Sequence, residues 1–462
     1  MAKHSTRIKA TTVPNHGTGS LTSAITEIQV DDLFGLYTYK LCPPLNTRGA
    51  PGRLLILYGD NGSGKTTLLR LIYHLLSKED NRGHRTFLAT VPFRRLAVRI
   101  GDNVVVSARR EREQLTGSYI LSVARDGHKP IEILAATDDS NVIRISEQSA
   151  EERTRWQTFI DALTKLQLTL YYLPDDRKLE SPFHTPDEYR STGRSETEAS
   201  LIHRHLLLMP DIAPPTPPLE AALQRTNDWI REEALRGSNE GQANTNSIYA
   251  GIVSQLAQAG PKHKRRPKHI GELKTQLLDL ERRSKTFSSF GLTSPLKIED
   301  LTNALATAPQ PKRSIIEDIL RPYIDGMAAR LDALQRLQRL LTLFLTALNG
   351  FFTNKTLAFD LARGFEITAR NGAHLSPSAL SSGEKQLLLL FCNAITARNA
   401  ASIFLIDEPE LSLNIKWQRK LLSALMALVS DSTVQFVAAT HSIELLSGYR
   451  SHVLPLTDAM ED

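Results

Sequence analysis

Four short stretches of this 462-residue sequence bring together residue types that handle phosphate. The first, GDNGSGKTT at 59–67, has glycines spaced so that backbone N–H groups can curl around an anion, followed by Lys65 and Thr66. Asp60, Asn61, Gly62, Ser63, Gly64, Lys65, Thr66 and Thr67 are therefore the candidate nucleotide-binding set. Lys65 would reach the β- and γ-phosphates, and the Thr66 hydroxyl would hold Mg²⁺. The second stretch, FLIDEPELSL, sets Asp407 and Glu408 after an apolar run. Acids at the C-terminal end of a buried strand sit where open α/β sheets bind ligands. Asp407 suits the metal and Glu408 suits a general base for water. The third, VAATHS, ends in His441, a candidate sensor of the γ-phosphate.

The fourth stretch is ALSSGEKQLLLLF at 379–391. Ser382, Gly383 and Glu384 open a helical pattern, and a helix N-terminus favours an anion. The chain's own nucleotide is already served by the glycine loop, Asp407 and His441. A further anion site predicts a phosphate supplied by a second copy, with two copies head to tail around a two-fold axis. The alternative is an ordinary cap by Ser381 or Ser382, with Glu384 in the first turn.

Elements must position these residues. RLLILYG (53–59) reads as a strand running into the glycine loop, and KTTLLRLIYHLLS (65–77) as the next helix. AITEIQVDDLFGLYTYKL (24–41) reads as strand, turn, strand, and residues 86–146 as an antiparallel sheet. Residues 158–180 read as a helix feeding a strand that ends at Pro174. PDIAPPTPPLE (210–220) is a proline-rich connector, LRGSNEGQANTNS (235–247) a loop by composition, and 250–350 mostly helical. From Ile324, the residues Met327, Leu331, Leu334, Leu337, Leu341 and Leu345 recur at 3–4 spacing, which favours a bundle packed on itself over a long exposed coil. Sheet patterning returns at 355–375 with Asn371–Gly372 as the hairpin turn; strands at 402–407 and 434–440 flank a helix from Trp417.

The expected organisation is a tail (1–23), a lobe with the phosphate loop (24–185), a helical insertion (186–350) and a lobe with the remaining motifs (351–462). The fold class is α/β, a mixed sheet plus an antiparallel sheet, split by the insertion. Hydrophobic content of 41% and charged content of 23% suit a soluble globular protein. No apolar run approaches the roughly 20 residues of a membrane span, so no membrane partner is expected. Cys42 and Cys392 stand far apart, which argues against zinc fingers and disulfide frameworks and fits a cytoplasmic setting. The net charge of +6 permits nucleic acid as a partner, and Lys262, Lys264, Arg265, Arg266 and Lys268 form a basic run that either contacts phosphates or is a solvated loop.

LSSGEKQ resembles the signature loop of ATP-binding-cassette (ABC) ATPases, in the variant of the SMC, RecF and OLD-type branch. DEPELSL with Trp417 and Gln418, LFGLYTYKL, VPFRRLAV and YYLPDDRKLE are similar to the same branch. Together they resemble the stand-alone AAA-type ABC ATPases of bacterial anti-phage systems such as Septu. The resemblance implies ATP and Mg²⁺, a head-to-tail dimer or higher oligomer, and hydrolysis to ADP and phosphate. It also implies control of a separate effector, a nuclease or toxin, since no nuclease motif stands in this chain. Asn414 departs from the histidine usual in OLD-like relatives, and no glutamine loop stands out, Arg177 in LPDDR being the candidate there. Competing expectations are a RecF/SMC-like ATPase acting directly on DNA and an ATP-locked scaffold with little turnover.

Overall fold

The computed structural model describes residues 24–43, 52–79, 83–111, 114–138, 141–143, 149–175, 218–258, 270–307, 309, 313–398, 403–446 and 448–457. The tail, Arg177, the basic run at 260–269 and most of the proline-rich connector lie outside them. The chain divides into two units, one of residues 1–212, 397–411 and 429–462, the other of 213–396 and 412–428.

The first unit is built on two sheets. Strands β3 (Leu54–Tyr58), β8 (Leu170–Leu173), β12 (Ile403–Asp407), β13 (Gln435–Thr440) and β14 (Val453–Pro455) form a parallel sheet in the order β14-β3-β13-β12-β8. Parallel strands are covered on both faces, so their sequences are nearly unbroken apolar runs. Every residue of β12 and β13 is buried. The second sheet is antiparallel, with six strands: β1 (Ile25–Leu33), β2 (Tyr37–Leu41), β4 (Arg95–Ile100), β5 (Val104–Arg109), β6 (Tyr119–Arg125) and β7 (Ile131–Ala135) in the order β2-β1-β4-β5-β6-β7. Its strands resume at Arg95 rather than 86, because His84–Thr90 form helix α2. Gln435 ties the two sheets: its side chain accepts from the Ile25 N–H at 2.8 Å and donates to the Ile25 and Gly52 carbonyls.

Helix α1 (Lys65–Leu76) packs on the parallel sheet through Leu68, Leu69 and Ile72, all fully buried. Its last carbonyls would be orphans. Buried Arg85 of α2 satisfies them, donating to the oxygens of His74, Leu75 and Ser77. His74 and His84 meet beside it, Nδ1 to Nδ1, at 2.8 Å. Burial holds the His74 imidazolium well out of reach, and the charges of His84, Arg70 and Arg85 act the same way. Helix α3 (Ala150–Thr164) starts in a capping box between Ser149 and Glu152 and buries Trp156, Phe159 and Leu163.

The second unit holds α4 (Pro218–Gln258), α5 (Ile270–Ser288), α6 (Glu299–Thr307), α7 (Arg313–Phe351), a three-stranded antiparallel sheet of β9 (Lys355–Asp360), β10 (Gly364–Ala369) and β11 (His374–Leu375), then α8 (Ser382–Ala397) and α9 (Ile415–Leu428). The heptad-like positions Ile324, Leu331, Leu334, Leu337 and Leu341 are buried in one core with Ile230, Leu273 and Leu277. The helices therefore pack on one another, as the spacing predicts. Residues 235–247, a loop by composition, instead lie inside the 41-residue α4. Their small residues serve packing: a Cβ on Gly237 would stand 2.8 Å from a Leu334 methyl, and one on Gly241 2.9 Å from the Arg330 Cα. Thr245 donates to the Gly326 carbonyl at 3.1 Å. These pairs run in opposite directions along α4 and α7, so the two helices are antiparallel and approach closely.

Helix α8 begins at the serine loop. The Ser381 N–H donates to Glu384 Oε2 at 2.8 Å, and the Glu384 N–H donates to Ser381 Oγ at 3.4 Å, a reciprocal cap. Lys355 of β9 donates to the same carboxylate at 2.7 Å. Burial pushes the Glu384 carboxyl up, but the Lys355 hydrogen bond, the Ser381 N–H and hydroxyl and the Lys355 charge outweigh it, so the net displacement is downward.

Substitutions at Gly241 and Glu384 test the packing and the cap. Gly241→Leu should lower the unfolding free energy measured by urea denaturation by about 1–3 kcal/mol through overpacking. Gly271→Ala, where a Cβ meets nothing within 4 Å, should not lower it; equal responses of the two variants would remove the close approach as the reason for Gly241. A carboxylate held below its ordinary value contributes stability above the unfolded-state pKa and loses it as pH falls through the folded one. Glu384→Gln should therefore melt below wild type at neutral pH, with the gap closing below about pH 4. A gap that widened in acid would contradict the assigned pairing.

Candidate functional site

The glycine loop joins β3 to α1, and strand register fixes what stands beside it. Leu57 pairs with Ala439, and Ala439 with Asp407, so β3, β13 and β12 end together. Gly64 takes φ 83° at the start of α1, with no room for a Cβ against Leu33, 2.8 Å away. The buried Lys65 Nζ donates to the carbonyls of Gly59 and Asp60 at 2.8 and 2.9 Å, so it curls back beneath the loop. Asp60, Asn61 and Gly62 form the exposed tip; Thr66 and Thr67 lie in the first turn of the helix. Tyr39 of β2 anchors the loop, its hydroxyl donating to the Ser63 carbonyl at 3.0 Å. No sequence motif marks this contact; an aromatic facing inward on a strand looks like any core residue.

These residues fit a nucleotide's phosphates. Nothing stands within 4 Å of where a Gly62 Cβ would be, so a phosphate can approach the backbone there. The Ser63 hydroxyl is buried without a hydrogen-bond partner and can donate. The Thr66 hydroxyl donates to Asp407 Oδ1 at 3.1 Å, and Asp407 is fully buried. A hydroxyl and a carboxylate so close are hard oxygen donors suited to Mg²⁺.

Glu408 directly succeeds β12 and turns sharply. Its φ is 44°, and its N–H donates to the Ala439 carbonyl at 2.9 Å while its own carbonyl accepts from the Leu411 N–H at 3.0 Å. A non-glycine residue in this region costs about 1–3 kcal/mol and persists where the surroundings over-determine it. The turn carries the carboxylate back to the end of β13. There His441 Nδ1 lies 2.7 Å from Glu408 Oε2 and 3.7 Å from Glu410 Oε1. Burial pushes the Glu408 carboxyl up to about 7, with neighbouring Glu410 adding to the rise and His441 opposing it. A carboxyl near neutrality is matched to proton transfer at that pH.

Glu410 escapes a reading of the motif, in which only the first two acids have evident roles. It is 5% exposed and accepts a hydrogen bond from the Thr440 hydroxyl, which in turn accepts the Ser442 N–H at 2.9 Å. It thus braces the strand end that presents His441. A buried acid whose partner is a threonine on another strand gives no sequence signal beyond its place in DEPE.

Lys65, Thr66, Asp407, Glu408 and His441 all belong to the first unit. Ser382, Gly383 and Glu384 belong to the second. Ser382 is exposed at the α8 N-terminus, Gly383 packs with its Cβ position 2.7 Å from the Ser412 carbonyl, and Glu384 serves the cap. Asn414 caps α9, its side chain accepting from the Trp417 N–H at 3.0 Å.

Comparison with known proteins adds to the geometry. Residues 44–169 match a family model described as ABC transporter, and residues 260–447 one described as AAA domain, putative AbiEii toxin, Type IV TA system. The lipoprotein-releasing system ATP-binding protein LolD of Ruegeria sp. (strain TM1040) is 36% identical over 104 residues, 21% of this chain. The chain spans 44% of that relative's length. Among solved structures, an Smc head domain from Pyrococcus furiosus aligns at 12% identity and TM-score 0.38, over 94% of both chains. One from Pyrococcus yayanosii aligns at 13% and 0.34, over 92% of this chain and 93% of that one. The phosphate loop falls within the first family match, Asp407, Glu408, His441 and the serine loop within the second, and the parallel sheet brings the loop, both acids and the histidine to one edge: over these two stretches the chain is similar to ABC-type and AAA-type ATPases.

Proposed function

We propose that the protein binds ATP with Mg²⁺, hydrolyses it to ADP and phosphate, and uses the cycle to control a separate effector. The observation that carries this reading is the 3.1 Å hydrogen bond from Thr66 to Asp407, with Glu408 and His441 next along the same sheet edge. It joins the phosphate loop to the acids that metal-assisted phosphoryl transfer requires. Lys65 neutralises charge on the β- and γ-phosphates; Thr66 and Asp407 hold the metal, which polarises the transferred group. Glu408 takes the proton as water attacks the γ-phosphorus and the bond to ADP breaks. His441, 52% exposed, presents its outer ring nitrogen to the γ-phosphate.

The serine loop completes the reading. Ser382 and Gly383 close over ATP held by a second copy, head to tail, giving two composite sites on a two-fold axis. The exposed Ser382 at a helix N-terminus supports this, and the Glu384–Ser381 cap is compatible with it, since it leaves the Ser382 side chain outward. The matched family description, a putative toxin of a type IV toxin–antitoxin system, together with the resemblance to anti-phage ATPases, favours a defence role. The effector is then a nuclease or toxin on another chain, and the setting cytoplasmic. Among the described residues no helix is long and apolar enough to cross a membrane. Nucleic acid is a candidate trigger on the net charge of +6.

Lys65→Ala should abolish ATP binding in calorimetry, because the charged contact to the phosphates is lost; undiminished affinity would end the phosphate-loop assignment. Glu408→Gln should keep ATP bound and slow turnover roughly 10²–10⁴-fold. Wild-type turnover in that variant would remove Glu408 from the role of base.

Ser382→Arg should bind ATP singly but lose turnover. Mixed with Lys65→Ala, it should regain activity, since one of the two composite sites in the mixed dimer is intact. A Ser382→Arg protein that hydrolyses ATP normally would reduce the serine loop to a helix cap.

A further inference from the structure

The end of β13 holds a group of side chains that the nucleotide chemistry does not fully use. Glu408, Glu410 and His441 each offer a donor atom, and these atoms lie within 4.8 Å of one another. Two of the three donors are carboxylate oxygens and one is an imidazole nitrogen. Glu410 is the unusual member. It is 5% exposed, one oxygen accepts from Thr440, and Oε2 is buried with no hydrogen-bond partner. A buried carboxylate oxygen with no fixed donor aimed at it, beside a second carboxylate, is satisfied either by a proton shared with Glu408 or by a positive charge.

We propose that Glu408, Glu410 and His441 bind a borderline divalent cation of the Zn²⁺ type, separately from the Mg²⁺ pair Thr66–Asp407, and that an ion there withdraws Glu408 from use as a base. Geometry supports the ion class. Donors bonded to tetrahedral zinc at about 2.0–2.1 Å stand roughly 3.3 Å apart. The observed separations from His441 Nδ1, 2.7 Å to Glu408 Oε2 and 3.7 Å to Glu410 Oε1, bracket that value. An imidazole donor favours zinc, cobalt or nickel over magnesium, which takes oxygen ligands in a near-ideal octahedron. Three protein donors leave a coordination position for water, and the half-exposed His441 ring gives an entry path. The Thr440 hydrogen bond to Glu410 orients the buried carboxylate, the kind of outer contact that fixes a metal ligand.

The first half of the proposal does not depend on hydrolysis; the second rests on the role of Glu408 proposed above. The test therefore starts without nucleotide. The full chain, stripped with chelator and carrying no histidine tag, is titrated with Zn²⁺ against a chromophoric indicator and with Co²⁺ by visible absorption. One equivalent should bind more tightly than about 0.1 mM. His441→Gln and Glu410→Gln should each weaken that binding at least about tenfold. Glu410→Gln keeps an amide oxygen for Thr440, and circular dichroism checks that both variants are folded. Lys65→Ala and Thr66→Val should bind zinc as wild type does, which separates this site from the Mg²⁺ pair. Absence of binding in wild type, or unchanged binding in both His441→Gln and Glu410→Gln, overturns the site. In wild type with Mg²⁺ and ATP, turnover should fall half-maximally at the zinc concentration that half-fills the site. Zinc binding with undiminished turnover overturns the second half alone. Zinc binding in a protein with no turnover at any zinc concentration upholds the site and counts against the proposed hydrolysis.

Discussion

The structure depends first on the register of three buried parallel strands. Leu57, Ala439 and Asp407 stand level across β3, β13 and β12, so the residues just beyond each strand emerge at one edge. Those residues are the phosphate loop, the Thr440–His441 end and Glu408. A one-residue slip would send each strand's side chains to the opposite face. The apolar residues that lock the register are the same ones that make the core. Position at the site and stability of the sheet are thus one property, enforced by Ile403–Ile406, Phe436–Ala439 and Leu54–Leu57, nearly all of them fully buried.

At that edge, electrostatics is managed by crowding rather than by exposure. Burial, and then the closeness of Glu410, raise the Glu408 carboxyl to about 7 where Glu408, Glu410 and His441 meet. The strained turn at Glu408 is the backbone cost of bringing it there. Thr440 contributes without touching a phosphate: its hydroxyl accepts from Ser442 and donates to Glu410, fixing the corner from which His441 projects.

Much of this was legible in the sequence, for physical reasons. Apolar runs of five, four and four residues ahead of Gly59, Asp407 and Thr440–His441 can hardly be anything but buried parallel strands with polar ends. The spacing from Ile324 to Leu345 marked a packed helical face. The misreading at 235–247 has the opposite cause. Glycine and asparagine weaken a helix by propensity, about 1 kcal/mol for glycine, and this decided the expectation. The energy that decides the outcome lies in contacts with Ala333, Leu334 and Arg330, far along the chain. Residues such as Tyr39, Gln435 and Glu410 act through partners that local patterning does not reveal. The serine loop shows both limits at once: its cap was visible in the spacing of Ser381 and Glu384, while the ion pair of Glu384 with Lys355 depends on a strand 29 residues away.

Helix α1 has its two ends in different electrical situations. Its N-terminus carries the phosphate loop, and its C-terminal carbonyls rest on the guanidinium of Arg85, with His74 and His84 buried alongside. Arginine keeps its charge across the physiological range, and the His74 ring is held neutral there. The far carbonyls of the helix therefore rest on a charge that ordinary changes of acidity do not remove. The loop that would grip a nucleotide thus opens a helix whose last turn is neutralised from outside the helix, by a guanidinium of α2, so the two ends of α1 are served by different elements of the chain.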